Sequence, residues 1–185
     1  IKKTKPTENK KKNIKKKLSQ YDILKKYRLK DHWYKDLILF SKKNKIKFLS
    51  SPFDIKGIKF LGKLNLDYIK VPSGEINNLP YLKVLGKLNK KIILSTGMSN
   101  LIEIKNSINI LKKEGLSRKK INLLHCHTDY PSKPENLNLK SIILLKKKFG
   151  LNVGYSDHSL GIEAPVVAIA YGAKIIEKHL TLNKK

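Results

Sequence analysis

His158 and His179 each close a short apolar run, Val153-Gly154-Tyr155-Ser156-Asp157-His158 and Ile175-Ile176-Glu177-Lys178-His179. A neutral imidazole is a good nitrogen ligand for a divalent cation. Two imidazoles are too few for a closed structural zinc site, which takes four ligands. They suit an open site, where water and substrate oxygens fill the remaining positions and the cation acts as a Lewis acid. The plainer alternative is a pair of hydrogen-bonded structural histidines. Between the two runs lies one helix length of chain, Gly161 to Gly172, rich in Ala, Val and Ile. Strand, crossover helix and parallel strand would bring both imidazoles to the carboxyl edge of a sheet, where α/β folds hold their chemistry.

Other groups fall at similar places. Lys70-Val71-Pro72-Ser73-Gly74-Glu75 sets a lysine on an otherwise apolar strand with a serine and a glutamate just beyond. An inward Lys70 would meet a phosphate or carboxylate as a point charge; a surface position in this lysine-rich chain is the competing reading. Ser95-Thr96-Gly97-Met98-Ser99 is a hydroxyl-rich turn whose amides and hydroxyls could hold an oxyanion, although helix capping by Ser99 or Asn100 is the commoner use of such residues. In His125-Cys126-His127 neighbouring side chains on a strand point to opposite faces. The expectation there is a buried structural cysteine, with Tyr130-Pro131 opening the loop. Ser156-Asp157-His158 looks like a hydrolase triad, but adjacent residues cannot take triad geometry.

These groups need elements to hold them. After a helix near Tyr21-Asp22-Ile23-Leu24 and another from Asp31 to Lys43, with Trp33, Leu37, Ile38 and Phe40 on one side, the chain alternates. Strands are predicted at 46–49, 68–71, 92–94 and 121–124, and at the two histidine-ended runs. Helices are predicted at 53–64, 79–88, 101–113 and 137–149. Six strands with regular crossovers imply a parallel sheet, as an open doubly wound sheet or most of an eight-stranded barrel. No Gly-x-Gly-x-x-Gly follows a strand, which weakens the dinucleotide-binding form. Polar residues after nearly every strand favour the barrel, which builds its site from many strand ends.

The 185 residues suffice for one domain with a core. The net charge of +27 raises nucleic acid as a partner. Yet Arg28 and Arg118 are the only arginines, and arginine is the preferred fork for phosphate and bases. With Ile and Asn also abundant, the lysines read as compositional drift, and a lysine-rich nucleic-acid binder is the weaker alternative. No apolar run is long enough to span a membrane. No apolar stretch follows the N-terminus, so no leader is expected. A single cysteine fits a reducing compartment. Residues 1–17 are lysine-rich with little to bury and read as loop or disorder, leaving 18–185 as the folded domain.

Together these segments resemble the sialic acid synthase (N-acetylneuraminate synthase) family. The matching runs are Phe48 to Asp54, Lys70 to Pro80, Ile93 to Ser99, Leu123 to Cys126, Tyr130-Pro131 and nearly all of Gly154 to Asn183, in order along residues 20–184. The resemblance implies a (β/α)8 TIM barrel. It implies condensation of phosphoenolpyruvate with N-acetylmannosamine or a related N-acyl sugar, giving a nine-carbon sialic acid and phosphate. Pseudaminic or legionaminic acid synthesis is the alternative within the family. It implies a divalent metal, Mn2+ or Mg2+, on His158 and His179, a catalytic carboxylate at Glu75, and phosphoenolpyruvate contacts at Lys70, Ser73, Ser95 and Ser156. Ser51 stands where the family usually has Thr. Thr128 and Tyr130 match further substrate positions, although the family pattern differs from His127-Thr128-Asp129. A cytoplasmic, homodimeric parent enzyme is implied as well.

Nothing in residues 1–45 matches the family's first two strands, the second of which carries another phosphoenolpyruvate-binding lysine. The family's small C-terminal domain, similar to antifreeze proteins, has no counterpart either. The expectation is therefore an incomplete barrel covering about strands 3 to 8, in a chain truncated at both ends and inactive by itself.

Overall fold

The apolar runs of the sequence pair as parallel strands: β1 (Tyr68–Val71), β2 (Lys91–Ser95), β3 (Ile121–Cys126), β4 (Asn152–Asp157) and β5 (Ile176–Lys178). The computed structural model describes residues 19–183. They divide into two compact units, one ending at Phe48 and the other starting at Leu49. Residues 1–17, expected to be loop, lie outside the described residues.

In the first unit Ser19 opens α1 (Gln20–Tyr27) with a reciprocal cap: its hydroxyl accepts the Asp22 amide, and the Asp22 carboxylate accepts the Ser19 amide. α2 (Trp33–Lys43) was expected to bury one side, and none of its residues is buried. Leu37 and Ile38 are half-buried, whereas Trp33 and Phe40 are exposed. At about 100° per residue Trp33, Leu37 and Phe40 share one face, with Ile38 set off to its side, yet on that face only Leu37 is even half-buried. Ile46-Lys47-Phe48-Leu49, predicted as a strand, forms no ladder. The alternation is present, but a strand needs repeated pairing. In the second unit a backbone bond from the Lys70 amide to the Ser50 carbonyl at 3.2 Å ties Ser50 to β1. The described sheet thus has five strands rather than six.

Its order is β1-β2-β3-β4-β5, each strand beside its sequence neighbour. A doubly wound sheet reverses direction at a switch point; this one never does, which is the order of a (β/α) barrel. The sheet also curls. Laid flat, β1 and β5 would be about 19 Å apart at the usual strand spacing. Yet Lys70 on β1 places its ammonium 3.3 Å from the carboxylate of Glu177 on β5. The fold is a partial (β/α)8 barrel.

Strands β1 to β4 are buried almost throughout, as strands covered on both faces must be. Ile69, Ile92, Leu94, Leu123, Leu124 and Tyr155 are fully enclosed. The crossovers are α3 (Ile55–Lys63), α4 (Leu79–Lys87), α5 (Leu101–Lys113), α6 (Ser141–Phe149) and α7 (Glu163–Ala170). Asp54 caps α3, Asn78 caps α4, and Asn100 with Glu103 forms a capping box on α5. Helix α6 starts four residues later than the apolar pattern suggests. Residues Pro134–Asn136 form a 3-10 turn, and Asn138 sits at φ 46°, a left-handed conformation no helix interior accepts.

Candidate functional site

Beyond the carboxyl ends of the strands two adjoining clefts of about 380 Å3 each share Lys70, Ser156, His158 and Glu177. Ser51 and His179 line one; Ser73, Ser95, Thr128 and Tyr130 line the other. Nine of the ten residues marked out from sequence, Lys70, Ser156 and His158 among them, therefore meet here. The tenth, Glu75, does not line either cleft. It sits in the 3-10 turn Ser73–Glu75 and accepts a hydrogen bond from Asn78 Nδ2 at 2.7 Å, beside the cap of α4.

Lys70 is 7% exposed, so its charge is held inside the sheet's curl rather than in solvent. Glu177 Oε1 faces it at 3.3 Å and accepts the Ser156 hydroxyl at 2.7 Å. Ser73 Oγ accepts the Gly97 amide at 3.0 Å and lies 3.2 Å from the sulfur of the buried Cys126. Gly97 has to be glycine for this approach: a Cβ there would stand 2.7 Å from Cys126 Sγ and 2.8 Å from Ser73 Oγ. Asn100, not the hydroxyl turn, supplies the cap of α5. Ser95 Oγ is buried and makes no hydrogen bond among the described residues. Such groups are rare in native proteins.

His158 is fixed by its surroundings. Its Nδ1–H donates to the His127 carbonyl at 2.6 Å, which leaves Nε2 as the nitrogen with a free lone pair. Nε2 accepts from the Tyr130 hydroxyl at 3.0 Å, and the Tyr130 ring stacks on the imidazole with centroids 4.0 Å apart. Burial lowers the His158 pKa and the neighbouring His179 lowers it further, against a raising hydrogen bond to His127. The net lowering favours the neutral imidazole, the form a metal needs. The His158 and His179 rings stand edge to face with centroids 5.6 Å apart. No cluster of three or more His, Cys, Asp or Glu able to hold a metal occurs among the described residues. The donor set thus fits an open site with two protein ligands, and does not fit a closed one.

Asp157, next to His158, is fully buried and accepts from Tyr155 Oη, the Ser159 amide, Ser159 Oγ and Lys178 Nζ. Burial alone would raise its pKa, but these donors, Lys178 foremost, outweigh it and hold the carboxyl below its usual range. His125 turns away from the clefts' charged end, stacks on Tyr155 and donates Nε2–H to the Leu137 carbonyl at 2.7 Å. A larger cavity of about 950 Å3 is lined by apolar residues such as Met98, Ile104, Leu137 and Val167 together with polar ones such as Thr96, Asn100 and His125. It lacks the converging charges of the strand-end clefts and is not the candidate site.

Sequence reasoning passed over Glu177. It was visible as a polar residue at a strand end, but its partner Lys70 sits on the opposite edge strand, and only the curl of the sheet brings them together.

A sequentially ordered parallel sheet with its polar groups gathered on the strand-end loops defines a barrel-type α/β protein. The chain belongs to the NeuB family, whose model matches residues 1–185. It is 52% identical over 166 residues to the N,N'-diacetyllegionaminic acid synthase of Campylobacter jejuni, covering 90% of this chain and 50% of that protein. It is 34% identical to the N-acetylneuraminate-9-phosphate synthase of Drosophila melanogaster, covering 82% of this chain and 40% of that protein. Among solved structures it is similar to an N-acetylneuraminic acid synthetase from Leptospira borgpetersenii, in complex with citrate. That match has a TM-score of 0.80 and 35% identity and covers 84% of this chain and 54% of the other. The chain spans about half the length of the curated relatives it matches.

Proposed function

We propose that the chain supplies the phosphoenolpyruvate- and metal-binding wall of a synthase that condenses phosphoenolpyruvate with an N-acyl sugar to give a sialic-acid-type product and phosphate. The observation that carries this is the convergence of Lys70, Ser95, Ser156, His158 and His179 on one pair of clefts. Lys70, enclosed and paired with a single carboxylate, offers a fixed positive charge to the phosphate or carboxylate of the substrate. Ser95 Oγ, without an internal partner, and the Ser73 and Ser156 hydroxyls supply hydrogen bonds. His158 and His179 hold a divalent cation, Mn2+ or Mg2+, which when bound polarises the acceptor aldehyde. The nucleophile is C3 of phosphoenolpyruvate, so no protein nucleophile is required. Water captures the resulting cationic C2 before phosphate leaves. Ser51, Thr128 and Tyr130 line the space where a sugar would lie.

Identities of 52% and 40% to two N,N'-diacetyllegionaminic acid synthases, against 34% to the N-acetylneuraminate-9-phosphate synthase of Drosophila, favour a second reading of the acceptor. That acceptor is a di-N-acetylated sugar rather than N-acetylmannosamine. A cytoplasmic homodimer, as the family resemblance implies, is part of the proposal.

Calorimetric titration of phosphoenolpyruvate into the 185-residue chain with Mn2+ tests it. Saturable binding that Lys70→Ala weakens at least tenfold is expected; no binding, or binding indifferent to Lys70, overturns the assignment. With longer proteins that include this sequence, phosphate release measured against a panel of N-acyl sugars separates the two acceptors.

A further inference from the structure

We propose that the Asp157–Lys178 ion pair is a clasp that sets the spacing of the two metal-binding imidazoles. The inference rests on the reading of His158 and His179 as metal ligands.

Asp157 ends β4 immediately before His158, and Lys178 ends β5 immediately before His179. The two are register partners across the parallel pair. Lys178 Nζ donates to Asp157 Oδ2 and also to the Ser159 carbonyl at 3.0 Å. One ammonium thus holds the residues on both sides of His158, from the position next to His179. Asp157 is held in turn: its Oδ1 accepts the Tyr155 hydroxyl at 3.1 Å, the Ser159 amide at 2.9 Å and the Ser159 hydroxyl at 2.6 Å. The carboxylate is fully buried and its acceptor sites are taken up within the protein. It is arranged to position rather than to touch a ligand.

The pair matters because it is the last tie of β5 to β4 at this end, one rung beyond the Ser156–Glu177 hydrogen bond. β5 has three residues, none buried, and lies at the edge of the described sheet. Its ladder to β4 ends at the Asp157–Lys178 rung. Beyond that rung the backbones diverge into the loops that carry the imidazoles. Without the ion pair the Ser156–Glu177 bond would still hold β5 one rung back and the Tyr130 ring would still touch His179, but the 5.6 Å separation of the two imidazoles would be imposed less firmly. A two-ligand site depends strongly on such preorganisation, since neither imidazole alone holds a cation well.

Mn2+ titration of the 185-residue chain, followed by the electron paramagnetic resonance signal of free Mn2+, tests the clasp. The variants are Asp157→Asn, the double variant Asp157→Asn with Lys178→Met, Lys178→Arg, His158→Ala and His179→Ala, each checked by circular dichroism. The double variant removes both charges and leaves no buried charge unpaired. Asp157→Asn and the double variant are expected to raise the Mn2+ Kd at least tenfold with the helical signal intact, and Lys178→Arg to stay within about threefold of the parent. If the clasp variants bind Mn2+ like the parent while the histidine variants lose it, the clasp is wrong and the metal reading stands. If the histidine variants bind like the parent, or the parent does not bind, both fall. Loss of Mn2+ binding only together with the helical signal would assign the pair to the fold and overturn the clasp.

Discussion

Ser95 is the residue whose role separates function from stability most cleanly. Its hydroxyl is buried and unpartnered among the described residues, so removing it costs the fold no hydrogen bond. Ser95→Ala is expected to change unfolding free energy by no more than about 0.5 kcal/mol in urea titration, while weakening phosphoenolpyruvate binding severalfold. A destabilisation as large as the binding loss would show the hydroxyl to be structural. Glu177 behaves differently. Its side chain is 40% exposed, so its pairing with Lys70 contributes at most about 1 kcal/mol, and an incoming dianion can displace it. Glu177→Gln should therefore tighten phosphoenolpyruvate binding in calorimetry; weaker binding would mean that Glu177 holds Lys70 in place for the ligand. The candidate residues that could be read from sequence were those at or just beyond the carboxyl end of a strand, such as Lys70, Ser156 and His158. Glu177 could be seen but not assigned, because nothing local links it to Lys70. For Glu75 the converse holds: its place after β1 looked like that of a site residue, yet its carboxylate turns to Asn78.

Elements succeed or fail here on backbone access. β4 and β5 approach closely at Gly154, where a Cβ would stand 2.4 Å from the Ile175 carbonyl oxygen and 2.6 Å from a Leu124 methyl. Neither the carbonyl nor the enclosed Leu124 can yield cheaply. Gly154→Ala is expected to destabilise by about 2–3 kcal/mol and to lower the melting temperature by several degrees. An unchanged melting temperature would contradict the packing. β3 is tied to the approach to α6 by His125, whose pKa is lowered, mainly by burial. The native state therefore keeps this imidazole neutral below the pH at which the unfolded chain protonates it, near 6.5. His125 costs no stability above that pH. Stability falls as pH drops through it, and the loss levels off once the native imidazole protonates. Denaturant midpoints measured from pH 7.5 to 5 should show this slope, and His125→Gln, which can still donate to Leu137, should flatten it. The strands β1 to β4 were legible because each is a four- to six-residue run with an apolar centre, set between turn signals at regular spacing. The start of α6 was not, since apolar periodicity is blind to the left-handed Asn138. The strand expected at 46–49 failed because alternation specifies a strand's face and not its partner.

Taken as one body, the chain carries +27 charges with two arginines. Lysines spread in this way raise the local concentration of any anion without reading its shape. The association rate of phosphoenolpyruvate should drop steeply between about 0.05 and 0.3 M salt in stopped-flow measurements, more than its dissociation rate rises. A salt-independent association rate would show that the charge plays no part in capture. Among the described residues β1 and β5 each pair on one side only, and Lys70–Glu177 spans the gap between them. That contact has a consequence for the order of events during synthesis. Every strand pairs with the one made just before it, so the sheet can be laid down unit by unit as the polypeptide emerges. Lys70 on β1 is made well before Glu177, His158 and His179 and waits for them. A nascent chain can therefore hold β1 to β3 while still unable to grip an anion or a metal, and it gains both abilities together once β4 and β5 are made.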